Sequence, residues 1–260
     1  MLSAERRRLI LQQIEREGSA QINQLAERFG VSAMTIRRDL DVLEAERKIL
    51  RTRGGAILRE DPRREFPHRW KDEQNQPAKE AIARRAIHLI GSGHSVILDA
   101  GSTNLRLARL MTSLHDVVLI TNDLKIAWEL GDVEGIQMVV TGGRLKPKVY
   151  SLEGHYGVSM LSGIHVDTAF IGCDAFDLER GAMTNSMTKI SMKQTMMRSA
   201  RRRVLLADSS KYEQRALCSF ADLSAFHTLV TDDGIPPECI EGCQQAGIEL
   251  IIASKEEGTP

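Results

Sequence analysis

The chain has 260 residues, 42% hydrophobic and 27% charged, with 35 Lys and Arg against 35 Asp and Glu. That is an ordinary globular composition, enough for one large domain or a small one plus a medium one, and the zero net charge gives no sign of a polyanion partner. At 4% aromatic residues, it argues against a stacking platform for single-stranded nucleic acid.

Charge and cysteine placement narrow the class a little further. Residues 1–60 carry 12 Lys and Arg against 9 Asp and Glu, so the N-terminal stretch is mildly basic and the remainder mildly acidic. The four cysteines, Cys173, Cys218, Cys239 and Cys243, form no CxxC pair. MLSAERRRLI has no signal-peptide core and no run is apolar enough to span a bilayer, so a cytoplasmic location without disulfides is expected. Cys239 and Cys243 have helical i,i+4 spacing, with no further Cys or His close by in sequence, which reads as ordinary helix positions rather than a metal site. No metal or cofactor is expected.

In chain order, AERRRLILQQIERE (4–17) reads as a helix stopped by Gly18. In QINQLAERF (21–29), Ile22, Leu25, Ala26 and Phe29 recur at i, i+3, i+4 and i+7, one helical face. Gly30 supplies the turn, and Ser32 is a good N-cap for a further helix with Ile36, Leu40 and Leu43 inward. Two short amphipathic helices around a glycine turn are the helix-turn-helix pattern. KILRTRGGAIL (48–58) then suggests a β-hairpin wing turning at Gly54-Gly55.

The helical wheel places Met34, Arg38 and Asp41 opposite the buried stripe, with Thr35 and Arg37 on the flanks. Such N-terminal positions face base edges in the major groove, where arginine bonds guanine or holds phosphate. The hydroxyls of Ser32 and Thr35 suit phosphate oxygens, and Arg51 and Arg53 would extend the contact from the wing. A solvated helix face explains arginines equally well by itself, with Asp39 and Asp41 as partners. The whole constellation favours double-stranded DNA, one arginine reading a base edge and the other fixing the backbone.

Residues 59–78 are charged, poor in aliphatics and punctuated by Pro62, Pro67 and Pro77. They read as a linker or arm rather than a core element. This divides the chain into 1–58, 59–78 and 79–260. Beyond Lys79, strand candidates SVILD (95–99), VVLIT (117–121), IQMVVT (136–141), DTAFIG (167–172), VLLAD (204–208), TLVTD (228–232) and IELIIA (248–253) alternate with helical stretches. That is the pattern of a mostly parallel sheet covered by helices. The fold class is α/β, a small winged helix-turn-helix domain joined to a larger α/β domain.

Segments rich in small polar residues follow five of these strands: DAGSTN (99–104), Thr121-Asn122-Asp123, Thr141-Gly142-Gly143-Arg144, Gly172-Cys173-Asp174 and Asp208-Ser209-Ser210-Lys211. Each could merely cap a helix. In a parallel sheet, however, all would meet at the carboxyl edge, where ligands bind. Gly101 would permit a tight turn, and Ser102, Thr103 and the N–H groups of a helix start can cradle an anion. Donors for phosphate beside acceptors for hydroxyls suit a phosphorylated sugar or polyol.

From Arg7 to Ala56 the chain resembles the DNA-binding domain of DeoR-type bacterial transcriptional regulators, most specifically in VSAMTIRRDLDVLE and the GGA wing tip. DAGSTN, TND, TGGRL, DTAFIGCDAF and LLADSSKY extend the resemblance over nearly the whole chain. It implies that Ser32, Thr35, Arg37 and Arg38 lie on a DNA-contacting helix. It also implies a sensor domain like sugar-phosphate isomerases, with Asp99, Gly101, Ser102, Thr103, Asn122, Gly142, Gly143, Lys211 and, more weakly, Lys79 around an effector. The expected activity is ligand-controlled repression of carbohydrate catabolism by a homo-oligomer, a dimer or tetramer. The alternative is an isomerase-like enzyme fused to a DNA-binding module, with Asp99, Asp174 and Asp208 as acid/base groups. One departure stands out: where the family commonly has an acid, SMTKISMKQTMM (186–197) has none, and carries Lys189 and Lys193. Lys189 reads as a plain exposed lysine.

Overall fold

The computed structural model describes residues 1–46, 48–52, 54–58 and 65–254, in two compact units that divide between Lys71 and Asp72. The first contains α1 (Ser3–Glu17), β1 (Ser19–Gln21), α2 (Ile22–Phe29), α3 (Ala33–Ala45), β2 (Ile49–Thr52), β3 (Gly55–Leu58) and the start of α4 (His68–Glu73). Gly30 ends α2 in the left-handed region at φ 61°. The Ser32 hydroxyl accepts from the Thr35 N–H at 3.2 Å and caps α3. The expected wing is antiparallel β2–β3, and β1 adds a third strand that the sequence reading missed. A Cβ on Gly55 would lie 2.0 Å from the Ala20 carbonyl oxygen, so glycine there is required by the approach of β1.

Ile10, Ile14, Leu25, Ile36, Leu40, Leu43 and Ile49 form the core of this unit. Phe66 and Trp70 join it, stacked with ring centroids 4.1 Å apart. Part of the expected arm is therefore core, because two aromatic rings in an otherwise polar stretch supply enough apolar surface to dock. Gly18 accommodates Trp70 twice over: its φ is 84°, and a Cβ there would fall 1.9 Å from the indole. Asp39, expected beside the paired arginines, instead points inward and accepts from Arg6 Nε at 2.6 Å, both side chains buried. Replacing Arg6 with Ala strands a buried carboxylate, so chemical denaturation is expected to show this unit weakened by about 3 kcal/mol.

The second unit runs α5 (Gln76–Ala86), β4 (Ser95–Leu98), α6 (Ser102–Leu110), β5 (Val117–Thr121), α7 (Leu124–Leu130), β6 (Ile136–Val140), β7 (Arg144–Leu145) and β8 (Leu152–Glu153). It continues with α8 (His155–Leu161), β9 (Val166–Gly172), β10 (Ala175–Asp177), β11 (Gly181–Thr184), α9 (Met187–Arg198), β12 (Ala200–Leu206), β13 (Cys218–Ala221), β14 (Thr228–Asp232), α10 (Pro237–Gln245) and β15 (Glu249–Ala253). Seven strands form a parallel sheet in the order β15-β14-β12-β9-β4-β5-β6, as the alternation of apolar runs and helices predicts. The chain builds outward from β4 through β5 and β6, then returns to lay β9, β12, β14 and β15 on the other side. The switch point thus lies between β4 and β9.

One face of the sheet packs Ile82, Leu107, Met111 and Ile126, and the other packs Leu161, Met192, Met196, Cys239 and Cys243. The two spaced cysteines of α10 are therefore helix positions facing the core. The hairpin β7–β8 and the antiparallel set β10-β11-β13 lie outside the expected strands. Among the described residues, no helix is long and apolar enough to cross a membrane.

Candidate functional site

On α3, Ile36 and Leu40 are fully buried while Arg37, Arg38 and Met34 are exposed, Met34 at 54%. The wheel is thus observed for all five residues. Thr35 is half-buried, its hydroxyl 2.9 Å from that of Ser32. Arg51 is a brace between the wing and α3. Its N–H donates to Glu44 Oε1 at 2.9 Å, and its Nη1 donates to the Arg37 carbonyl at 3.0 Å and to Asp41 Oδ1 at 2.9 Å. The two acids suggested as partners for Arg37 and Arg38 are thus engaged elsewhere: Asp39 by Arg6 and Asp41 by Arg51. Arg53 lies outside the described residues.

In the second unit, all seven strands of the main sheet point their carboxyl ends the same way, so the five polar segments share one rim. At the switch point Asp99 is buried and accepts from the Gly172 N–H at 3.2 Å. Lys193 pairs with the same carboxylate, donates to the Gly172 carbonyl at 2.7 Å, and lies 5.1 Å above the Phe220 ring. Sequence reasoning gave Lys193 no role, since a lysine among methionines on a helix gives no sign that it faces a carboxylate 94 residues away. Lys189 is buried too, at 7% exposure. The expectation of an exposed lysine is corrected: one helical turn before Lys193, it shares that inward face.

The loop after β4 is held from below. Asn122 Oδ1 accepts from the Ala100 N–H at 2.8 Å, and Asp123 Oδ2 accepts from the Gly101 N–H at 3.1 Å. Asp123 Oδ1 accepts from Lys125 N–H at 2.7 Å and Ile126 N–H at 3.4 Å, capping α7. Burial pushes the Asp123 carboxyl up to about 6 despite those bonds. Ser102 and Thr103 open α6 and are buried. Gly101 is extended, at φ 164°, and a Cβ on it would meet nothing within 4 Å. The chain bends at Ala100 and Gly101 as it passes from β4 into α6, but nothing within the protein demands glycine there.

Further along the rim, a Cβ on Gly143 (φ 141°) would fall 2.6 Å from the Glu153 carbonyl oxygen, so this glycine serves the close β7–β8 pairing. Gly142 has only ordinary contact with Tyr156. Buried Glu153 accepts from the Thr188 hydroxyl at 2.5 Å. It also went unnoticed in the sequence, since no strand pattern precedes it. Lys211 donates to the Cys173 carbonyl at 2.6 Å. Burial works to lower its pKa, but Cys173, Asp208, Asp174 and Asp99 hold it above the usual lysine value. Lys79 is buried, donates to the Gln74 carbonyl at 2.6 Å, and is brought down to about 7 by burial and then by Lys211. A cavity of about 260 Å³ lies beside this end of the rim, lined by Asn75, Pro77, Ala78, Asp208, Ser209, Ser210 and Asp232.

Replacing Lys193 with Met would leave Asp99 buried against one N–H. The thermal midpoint is expected to fall, with a loss of about 3 kcal/mol, and to recover most of it when Asp99→Asn is added.

Comparison with known proteins follows the same two-part division. Residues 6–61 match the model of the DeoR-like helix-turn-helix domain, and residues 74–233 match that of the DeoR C terminal sensor domain. The chain is 36% identical to the "Putative aga operon transcriptional repressor" of Escherichia coli O157:H7, over 97% of this chain and 95% of that one. It is 33% identical to the HTH-type transcriptional regulator GlpR of Haloferax volcanii, over 96% of this chain and 98% of the other. With the L-fucose operon activator of Haemophilus influenzae the identity is 30%, covering 94% and 98%.

Proposed function

This chain belongs to the DeoR family of transcriptional regulators, and we propose that it is a repressor of a carbohydrate-catabolism operon, relieved when a phosphorylated sugar or related metabolite binds the rim of its sensor domain. The observation that carries the DNA half is the outward pair Arg37 and Arg38 on a capped helix that follows a glycine turn. Met34 and Thr35 stand beside them on the same outer surface, Ser32 at its edge. Arg51 acts through α3, fixing the wing to the helix, and Arg53 is kept in the DNA-contacting set on its sequence position alone. A single small winged module covers little DNA, so a homo-oligomer on paired half-sites is part of the proposal.

The effector half rests on the switch point. In our reading Ser102, Thr103 and the first N–H groups of α6 receive a phosphate, with Lys79 and Lys211 supplying charge. The open space over Gly101 lets that group approach the backbone. Asp99 and Asn122 shape the floor, Gly143 permits the close pairing of the neighbouring hairpin, and Gly142 leaves the rim beside it open. The relatives cited are named as regulators, and the carboxylates an isomerase would need are already bonded. Asp99 is held by Lys193, Asp174 by Thr184 and Asn185, and Asp208 by Asn75 and Ser210.

Arg38→Ala is expected to weaken specific operator binding more than about tenfold in a titration at fixed salt. Wild-type affinity should itself fall steeply as salt rises. Undiminished operator affinity would remove Arg38 from the interface.

Lys79 gives a pH test. With its pKa near 7, the ammonium is half deprotonated at neutrality in the empty rim. A bound phosphate favours the charged form, so binding takes up a proton above about pH 7 and affinity falls as the pH rises. Calorimetry with a phosphorylated sugar found by thermal-shift screening is expected to show that fall between about pH 7 and 9. It should flatten in Lys79→Arg, whose guanidinium stays charged. A flat wild-type profile would exclude Lys79 as a phosphate ligand.

A further inference from the structure

Trp128 lies on α7 with 88% of its surface exposed, an unusual position for the largest apolar side chain. Tyr150, 41% exposed, and half-buried Leu124 flank it, and together with Leu105, Lys125 and the Arg109–Glu129 ion pair they line a groove of about 310 Å³ between α6 and α7. β6, the last strand on this side of the sheet, pairs only with β5 among the described residues. Edges of that kind are ordinarily shielded. A protruding indole beside a groove with an apolar floor and a charged rim, on the helix next to an open sheet edge, has the anatomy of an interface: an apolar centre with polar surroundings.

Charge identifies the occupant. α7 runs from the carboxyl edge of the sheet to the amino edge, and β6 runs back. The turn between them carries exposed Asp132 and Glu134 at the amino edge. The β7–β8 hairpin carries exposed Arg144 and Lys148 at the carboxyl edge. The two groups lie at opposite ends of β6, a five-residue strand about 17 Å long, with Trp128 on the helix alongside. A two-fold axis through the middle of this face would set the acidic end of one copy on the basic end of the other. It would also bring each Trp128 to the other copy's groove. One patch that carries its own complement in reverse order is what an isologous dimer needs.

We propose that the face formed by α7, the 131–135 turn and the β7–β8 hairpin takes the same face of a second copy of this chain. The proposal rests on the homo-oligomer reading and gives it an address. It also joins assembly to the rim, because α7 starts at Asp123, the carboxylate that holds the Gly101 N–H.

The test is sedimentation of the full chain across a concentration series. Variants are Trp128→Glu, an acidic-end reversal (Asp132→Lys with Glu134→Lys), a basic-end reversal (Arg144→Glu with Lys148→Glu), and the two reversals combined. Trp128→Glu and each single reversal are expected to raise the dissociation constant more than about tenfold. The combined reversal should restore association. All of these side chains are exposed, and unchanged thermal midpoints of the dissociated variants would verify their folding. If wild type is monomeric at every concentration, both the homo-oligomer reading and this surface fall. If wild type associates and Trp128→Glu associates equally well, the oligomer stands and this surface is wrong. Loss in both single reversals without recovery in the combination overturns the two-fold arrangement.

Discussion

A lysine ammonium buried between β4 and β9 holds the polar edge of the sensor sheet together. Lys193 reaches from α9 to the Asp99 carboxylate at the end of β4 and to the Gly172 carbonyl at the end of β9. These two strands meet where the chain reverses its direction of building, so no loop joins their carboxyl ends locally. The Asp99 N–H donates to the Phe170 carbonyl at 3.1 Å, Asn104 Nδ2 donates to the Asp99 and Phe170 carbonyls, and the ammonium adds a charged bridge to these neutral ones. The Gly172 N–H on the same carboxylate and the Phe220 ring under the ammonium lower the cost of keeping both ions from water. The loop bearing Ser102 and Thr103 begins at this clamp, and the position of everything on it follows.

The winged unit uses the same device more sparingly. Arg6 and Asp39 tie α1 to α3 from the inside, and Arg51 ties the wing to α3 from the outside. Between these two fastenings α3 presents Arg37 and Arg38. Acids that might have neutralised them are held elsewhere, which keeps the positive charge of that surface available to a polyanion. The arrangement separates residues that hold the helix from residues that face outward, even where they are adjacent in sequence.

How far the sequence discloses this depends on the range of the interaction. Local signals were legible: the periodicity of α2 and α3, the left-handed Gly30, the Ser32 cap, and the apolar runs of the parallel strands. The common rim followed from those, because parallel strands must end together. Pairings across long separations were not legible. Nothing near Lys193 announces Asp99, and Asp39 looked like a neighbour of Arg37 and Arg38 until the helix turned it toward Arg6. Phe66 and Trp70 were hidden by composition, since a proline-rich charged stretch reads as a linker even when two aromatic rings anchor it. Gly101 misled in a different way. The chain does bend there, but Gly101 itself is extended, so the bend does not need glycine, and the missing side chain leaves open space.

Asp123 divides its two oxygens between two pieces of chain. One takes the N–H of Gly101, and the other takes the first N–H groups of α7. The carboxylate is fully enclosed, so neither piece can withdraw without leaving a lone pair stranded away from water. The loop and the helix are in effect riveted at one point. From that rivet α7 is a stiff rod of under two turns leading directly to Trp128. A small shift of the loop backbone would therefore reach the outer surface as a tilt of the rod, by leverage rather than through a relay of rearranging side chains.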